Sequence, residues 1–260
     1  MLKRTISAMI GAPLFLGLIY LGGQYTAFLV IVLTLFGLWE FMLIGKQMGI
    51  HTWSKLTMLV SVIWLFSLLS GRVEWILPVL IFWLLIGFGR FALTYPKTSL
   101  SDASFNLIAV VYSVFLLSHL YLLRQHPSGL EWTFITIFLV WATDMGAYLI
   151  GRQFGSHLLA PQVSPKKTVE GSLGGLLISV AVALVLWLHV GGAAWIVYVI
   201  LALVIGISAQ IGDLFESALK RSAGVKDSGK IIPGHGGILD RFDSLIFVLP
   251  LVYYGLILFT

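Results

Sequence analysis

Nine runs of mostly apolar residues, each close to the length of a membrane-crossing helix, divide this chain and restrict its fold more than any other feature. They lie near residues 5–22, 25–44, 56–71, 74–93, 105–123, 132–150, 171–190, 193–211 and 243–259. A helix rises about 1.5 Å per residue and the hydrocarbon core of a bilayer is about 30 Å thick, so about 20 apolar residues span it. The runs are continuous and do not alternate with period two, which argues against the strands of a membrane barrel. Charged residues make up 10% of the 260 and hydrophobic residues 59%, leaving too little charge to coat a water-facing surface. The 27 glycines show no three-residue period and cysteine is absent, which excludes collagen-like repeats, disulfide scaffolds and thiolate metal sites. The expected fold is all-α, a polytopic integral membrane protein with about nine transmembrane helices. The first run follows Lys3 and Arg4 like a secretory signal, but it is longer than a signal core and Gly22–Tyr25 offers no small-x-small cleavage site, so it is read as a retained helix.

Orientation follows from the 16 Lys and Arg residues. With the amino terminus cytoplasmic, 14 of the 16 fall on that side and only Arg72 and Arg124 on the other. Losing one early helix would scatter the later charges over both faces, so the split supports both the orientation and the count. The net charge of +5 is thus first a topology signal, with no nucleic-acid partner implied.

The longest polar stretch, about residues 212–242, is expected to be a cytoplasmic loop. From Asp213 to Asp243 it holds Asp213, Glu216, Asp227, Asp240 and Asp243 against Lys220, Arg221, Lys226, Lys230 and Arg241, ten of the chain's 27 charges. The bland reading is a solvated loop with weak surface ion pairs. However, Asp213 and Glu216 are three residues apart, as are Asp240 and Asp243, so each pair shares a helix face. Acids at membrane depth are expensive and usually face a polar cavity. Two such pairs facing each other would form an all-oxygen site suited to magnesium. Between them, Ile232-Pro233-Gly234-His235-Gly236-Gly237 leaves little side chain to keep a ligand from the backbone amides, so it reads either as a phosphate cradle or as an ordinary tight turn. There is no Walker A or Rossmann fingerprint.

A second polar island precedes it. Asp144 lies six residues before the end of the sixth run, about 9 Å up the helix, and Tyr148 is one turn further along. The segment after it contains Ser164-Pro165-Lys166-Lys167-Thr168, then Glu170-Gly171. Lys166 and Lys167 serve equally as topology determinants or substrate contacts. Gly171 and Gly175 form a small-xxx-small pair read as close helix packing. Glu40, near the end of the second run, is the other acid inside a span; such acids also mark ion pathways.

The run Ser217-Ala218-Leu219-Lys220-Arg221, then Lys226-Asp227, Pro233-Gly234-His235-Gly236-Gly237 and Asp240-Arg241-Phe242-Asp243 resembles the signature of phosphatidate cytidylyltransferases, also called CDP-diacylglycerol synthases. Trp141-Ala142-Thr143-Asp144 and Ser164–Gly171 are similar to the family's other polar stretches. The similarity therefore runs from about residue 138 to 244, while the first 130 residues match only in being hydrophobic. The resemblance implies one continuous membrane domain, with residues 1–130 as a lipid-embedded scaffold and 131–260 carrying the catalytic motifs. It implies a magnesium-dependent enzyme, with room for a second cation, that joins CTP and phosphatidate to give CDP-diacylglycerol and pyrophosphate. The setting is a cell membrane of the inner or plasma type, with the active site on the cytoplasmic face.

On this resemblance Asp213, Asp240 and Asp243 are metal ligands, Asp144 is a further ligand or orienting group, and Asp227 is a ligand or a partner of Lys226. Lys220, Arg221, Lys226 and Arg241 hold phosphates, helped by Ser164, Lys166 and Lys167. Ser217, Gly234, Gly236 and Gly237 complete the substrate-binding set. His235 stays open between phosphate donor, proton shuttle and turn residue. Membrane lipids are the remaining partners, and the glycine-rich helix faces permit a homodimer. The competing readings are a CTP-dependent polyprenol or lipid kinase, which would release CDP, and an ion-coupled transporter, which would need polar residues spread over more spans.

Overall fold

The computed structural model describes residues 2–232, 234 and 236–259, and helices account for nearly all of it. Along the chain run α1 (Leu2–Leu21), α2 (Gly23–Gln47), α3 (Ser54–Leu69), α4 (Ile76–Thr94), α5 (Leu100–Val110), α6 (Leu117–Gln125), α7 (Gly129–Phe154), β1 (Leu158–Ala160), β2 (Ser164–Thr168), α8 (Val169–Val190), α9 (Trp195–Ser222) and α10 (Leu239–Phe259). A π-helical turn, Val111–Leu116, joins α5 to α6, so the two continue as one rod over Leu100–Gln125. Among the described residues, seven helices are long and apolar enough to cross a membrane, and two shorter apolar helices, Ser7–Leu21 and Ser54–Leu69, lie where the first and third runs predict them. The chain is a multi-pass, all-α membrane protein.

Several threonine hydroxyls inside the spans are satisfied by their own helix, as suits a medium without water. Thr34 donates to Val30 O at 2.6 Å, Thr133 to Gly129 O at 2.6 Å and Thr143 to Leu139 O at 2.8 Å. The large apolar side chains that remain exposed, such as Leu77, Phe82, Phe88 and Leu93 on α4, face outward as lipid-facing residues do.

One expectation is corrected. The stretch 212–242 is not a loop from its start, because α9 continues to Ser222. Its polar end is supported at i,i+4 spacing by the Glu216–Lys220 ion pair and by Ser217 donating to Asp213. Strands also exist outside the spans: β1 and β2 pair antiparallel in a short hairpin, with Leu158 opposite Thr168 and Ala160 opposite Ser164. At the hairpin's base Glu170 accepts hydrogen bonds from the Ser156 hydroxyl at 2.7 Å and from the Ser156 amide at 3.1 Å, and its carboxylate pairs with His157 Nδ1 at 2.5 Å.

The chain divides into two compact units. The first comprises Met1–Tyr121 and Ser222–Arg241, the second Leu122–Arg221 and Phe242–Thr260. In the first, Phe41 packs against Phe105 and Tyr112 with ring centroids 4.9 and 5.6 Å apart, and Trp64 stands edge-on to Phe115 at 5.3 Å. The connection between α2 and α3 is tied to α5, with Asp102 accepting from the His51 amide and Asn106 from the Trp53 amide, both at 2.7 Å.

In the second unit α7 and α8 pack backbone to backbone. A Cβ at Gly175 would stand 2.6 Å from Thr143 O, and one at Gly171 would stand 2.7 Å from Ala147 O. Gly171 and Gly175 are therefore packing residues, as their spacing predicts.

Candidate active site

Four elements of the second unit deliver its charged side chains to one place. Asp144 comes from α7, Lys167 from β2, Asp213 from α9 and Asp243 from α10. Glycine makes the approach possible. A Cβ at Gly212 would stand 2.6 Å from the Asp243 carbonyl oxygen, so α9 and α10 cross almost in backbone contact one residue from Asp213. At Gly206, two turns earlier on α9, a Cβ would meet Leu176 at 2.6 Å and the Thr143 hydroxyl at 3.3 Å, which brings α9 against α7 and α8. Between these crossings Ser172 of α8 and Gln210 of α9 join side chain to side chain, and Gln210 Nε2 also donates to Ser172 O at 3.2 Å.

Lys167 Nζ lies 2.5 Å from Asp213 Oδ2, while Asp213 Oδ1 accepts from Ser217 Oγ at 3.3 Å. The charges of Asp213 and Lys167 act on Asp144, and those of Asp213, Asp144 and Lys220 act on Asp243. Asp243 Oδ1 also accepts from the Ser244 amide at 2.8 Å. Lys220 is ion-paired with the fully buried Glu216. Of the three aspartates Asp213 alone is bonded directly to Lys167, and Lys220 is already paired with Glu216. When its carboxylates are ionised such a cluster carries surplus negative charge where repulsion is poorly screened, and a cation would relieve it.

The donor set is all carboxylate oxygen, which fits a hard divalent ion and not zinc. Among the described residues no group of three or more His, Cys, Asp or Glu side chains is placed to hold a metal ion by itself. Magnesium commonly binds through one or two carboxylates, with substrate phosphates and water supplying the rest, so an open carboxylate cluster suits it.

The remaining residues of the sequence-derived set divide between the units. In the second, Ser164 and Lys166 share β2 with Lys167, and Lys166 is exposed. Arg221 is exposed at the end of α9, with its Nε donating to Val163 O at 3.3 Å, which ties the hairpin to that helix. In the first, Lys226, Asp227, Gly234 and Arg241 are exposed. Gly234 and Gly236 adopt φ of 77° and 87°, the left-handed region that favours glycine. His235 lies outside the described residues.

Asp240 and Gly237, both expected at the ligand, are bonded to each other. Asp240 Oδ2 accepts from the Gly237 amide at 2.8 Å and from the Ser228 amide and hydroxyl at 2.8 and 2.9 Å. The next two amides, Ile238 and Leu239, each donate at 3.0 Å to Glu40 of α2. The backbone donors at the start of α10 are therefore capped by two carboxylates of the protein, the usual need of a buried helix start. At Gly237 this corrects the expectation of an amide open to phosphate. The acids of each pair are also bonded differently: Asp213 is held by Lys167 and Glu216 by Lys220, while Asp240 is held by Ser228 and Gly237 and Asp243 by the Ser244 amide.

Sequence reasoning missed the partner of Glu40. A lone acid within an apolar span was the available signal, but nothing local points to residues 228 and 237–239.

Comparison with known proteins identifies the family. The cytidylyltransferase family matches residues 2–259. A phosphatidate cytidylyltransferase of Staphylococcus epidermidis is 37% identical over 257 residues, covering 96% of each chain. One of Synechocystis sp. is 38% identical over 286 aligned positions, covering 98% of this chain and 96% of the relative. One of Staphylococcus saprophyticus is 46% identical over 162 residues, 62% of this chain and 61% of the relative. The similarity therefore extends through the amino-terminal helices, which the motifs alone do not reach.

Proposed function

From the premise that this chain belongs to the cytidylyltransferase family, matched over residues 2–259, we propose that it transfers the cytidylyl group of CTP to phosphatidate. A phosphate oxygen of phosphatidate attacks the α-phosphorus of CTP. The new P–O–P bond forms as the bond from the α-phosphorus to the oxygen bridging it to the β-phosphorus breaks, and pyrophosphate leaves with that electron pair. An ionised phosphate is itself a competent nucleophile, so no activated serine or cysteine is required. The protein's work is to align two polyanions and stabilise the charge that builds up between them.

The observation that carries this reading is the convergence of Asp144, Asp213 and Asp243 with Lys167 in the second unit. The carboxylates suit a magnesium ion, which when bound would neutralise phosphate charge. In this reading Lys167 holds Asp213 in place and meets phosphate as the substrates enter. Lys166, Ser164, Lys220 and Arg221 supply further donors from the same unit, and Ser217 keeps Asp213 oriented. In the first unit, Lys226 and Arg241 are phosphate contacts, Asp227 is the partner of Lys226, and Gly234 and Gly236 keep the backbone open to a ligand. Asp240 serves by organising that segment. The relatives' bacterial sources support a plasma membrane location, and the distribution of Lys and Arg supports a cytoplasmic active site.

The test is transfer of radiolabel from the α-phosphate of CTP into lipid by the full chain in detergent or vesicles. Label should enter the lipid phase only with phosphatidate present, with release of pyrophosphate. No incorporation by well-folded protein, or release of CDP instead, would overturn the assignment.

A further inference from the structure

Glu40 is fully buried in α2, within a membrane-spanning helix, and every hydrogen bond described for it reaches a segment about 190 residues away. Its Oε1 accepts from the Ile238 amide, and its Oε2 accepts from the Leu239 amide and from Ser228 Oγ, each at 3.0 Å. The fit admits nothing larger than glycine at two further positions. A Cβ at Gly229 or at Gly237 would lie 2.3 Å from a Glu40 carboxylate oxygen. Ser228 Oγ also lies 2.9 Å from Asp240 Oδ2, so its single hydrogen is shared between the two carboxylates. One hydroxyl thus bridges the acid of α2 and the acid in the first turn of α10.

A carboxylate buried only to cap a helix would need no such bridge. What the bridge adds is a tie from Glu40 to Asp240, which with Ser228 and Gly237 borders Gly234 and Gly236 and lies close in sequence to Lys226 and Asp227. We propose that Glu40 is a positioning residue of the transferase. From the amino-terminal helices it seats the start of α10 and, through Ser228, fixes Asp240 and the glycine-rich segment against which substrate is aligned. This rests on the cytidylyl-transfer reading and extends it to a residue outside every motif that suggested that reading.

Glu40→Gln tests it sharply. The amide offers one acceptor oxygen and an NH2 group, so one of the two backbone N–H groups now held by Glu40 would face another donor. Misplacement of a site element by about 1 Å costs about 100-fold. Glu40→Gln should therefore lower kcat about 100-fold per folded molecule while KM for phosphatidate stays within about threefold. Ser228→Ala removes the bridge, keeps both carboxylates, and should lower kcat about tenfold, as loss of one hydrogen bond to a charged group would. The double variant should be no worse than Glu40→Gln alone.

Folded protein is counted by monodisperse elution in detergent, and kinetics are normalised to it. A merely structural role predicts less folded protein with an unchanged kcat, and that result overturns the proposal. If Glu40→Gln does not fold, Ser228→Ala decides, and kcat within twofold of the wild type sinks the idea. A wild type that transfers no label would remove the functional reading and the positioning role with it. An active wild type beside an unimpaired Glu40→Gln would remove the positioning role alone.

Discussion

In the first unit Glu40 and Asp240 are surrounded by donors from their own unit, taking three backbone amides at the start of α10 and both donors of Ser228. In the second unit Asp144, Asp213 and Asp243 have Lys167, a serine hydroxyl, one backbone amide and one another. The difference separates two uses of an acid at membrane depth. A carboxylate whose oxygens are satisfied by amides holds the chain in shape, and its removal leaves buried N–H groups without acceptors. A carboxylate facing other carboxylates is a liability in the empty protein and becomes an asset when a cation and phosphates arrive. Stability should therefore respond in opposite ways to mutation in the two places, while turnover falls in both.

The strongest contrast comes from Asp213→Asn, which removes a charge at the centre of the second cluster. It should lower kcat about 1000-fold, the upper range for loss of one electrostatic group in a transfer site, while the melting temperature in detergent stays equal or rises. Near-normal turnover at limiting magnesium would break the comparison on its catalytic side. Glu40→Ala should show the reverse pattern in stability. It strands the Ile238 and Leu239 amides, and should destabilise by about 3 kcal/mol, read as a lower midpoint in thermal unfolding. An unchanged midpoint would mean that water or another group replaces the carboxylate.

Gly212→Ala probes the crossing that brings Asp213 toward Asp243. Its new methyl would meet the Asp243 carbonyl oxygen, and overpacking of this kind costs about 2 kcal/mol. Activity should fall along with the melting temperature, whereas loss of neither would show that the helices part without consequence. Lys167→Ala gives the smallest expected change, about a tenfold rise in KM for CTP from loss of one charge-assisted contact. An unchanged KM and kcat would reduce Lys167 to a counter-ion for Asp213.

The helical runs were legible because each must satisfy its backbone within itself across a bilayer, so span length and apolarity write themselves into consecutive residues. The Gly171 and Gly175 pair was legible for a related reason, since close helix packing needs small residues at fixed spacing. The length of α9 was not, because its last turns are polar, and polar residues continue a helix as readily as they begin a loop when i,i+4 partners such as Glu216 and Lys220 support it. The β1–β2 hairpin escaped notice because five residues of Ser, Pro, Lys and Thr carry no strand periodicity. Among the site residues, chemistry by type was readable: Asp144, Asp213, Asp243 and Lys167 all belong to polar islands. Asp240 was assigned with them on spacing and on the family resemblance, and its three bonds to Ser228 and Gly237 lie beyond what either can reveal.

Amino-acid order alone therefore determined that this chain lives in a membrane, roughly where it crosses, and where its scarce charges are grouped. Those properties depend on neighbours one or a few helical turns apart. Only tertiary structure decided which acids face one another and which cap a helix. A carboxylate takes its role from the groups that reach it, and for Glu40 those groups are close in space and nearly two hundred residues distant in the chain.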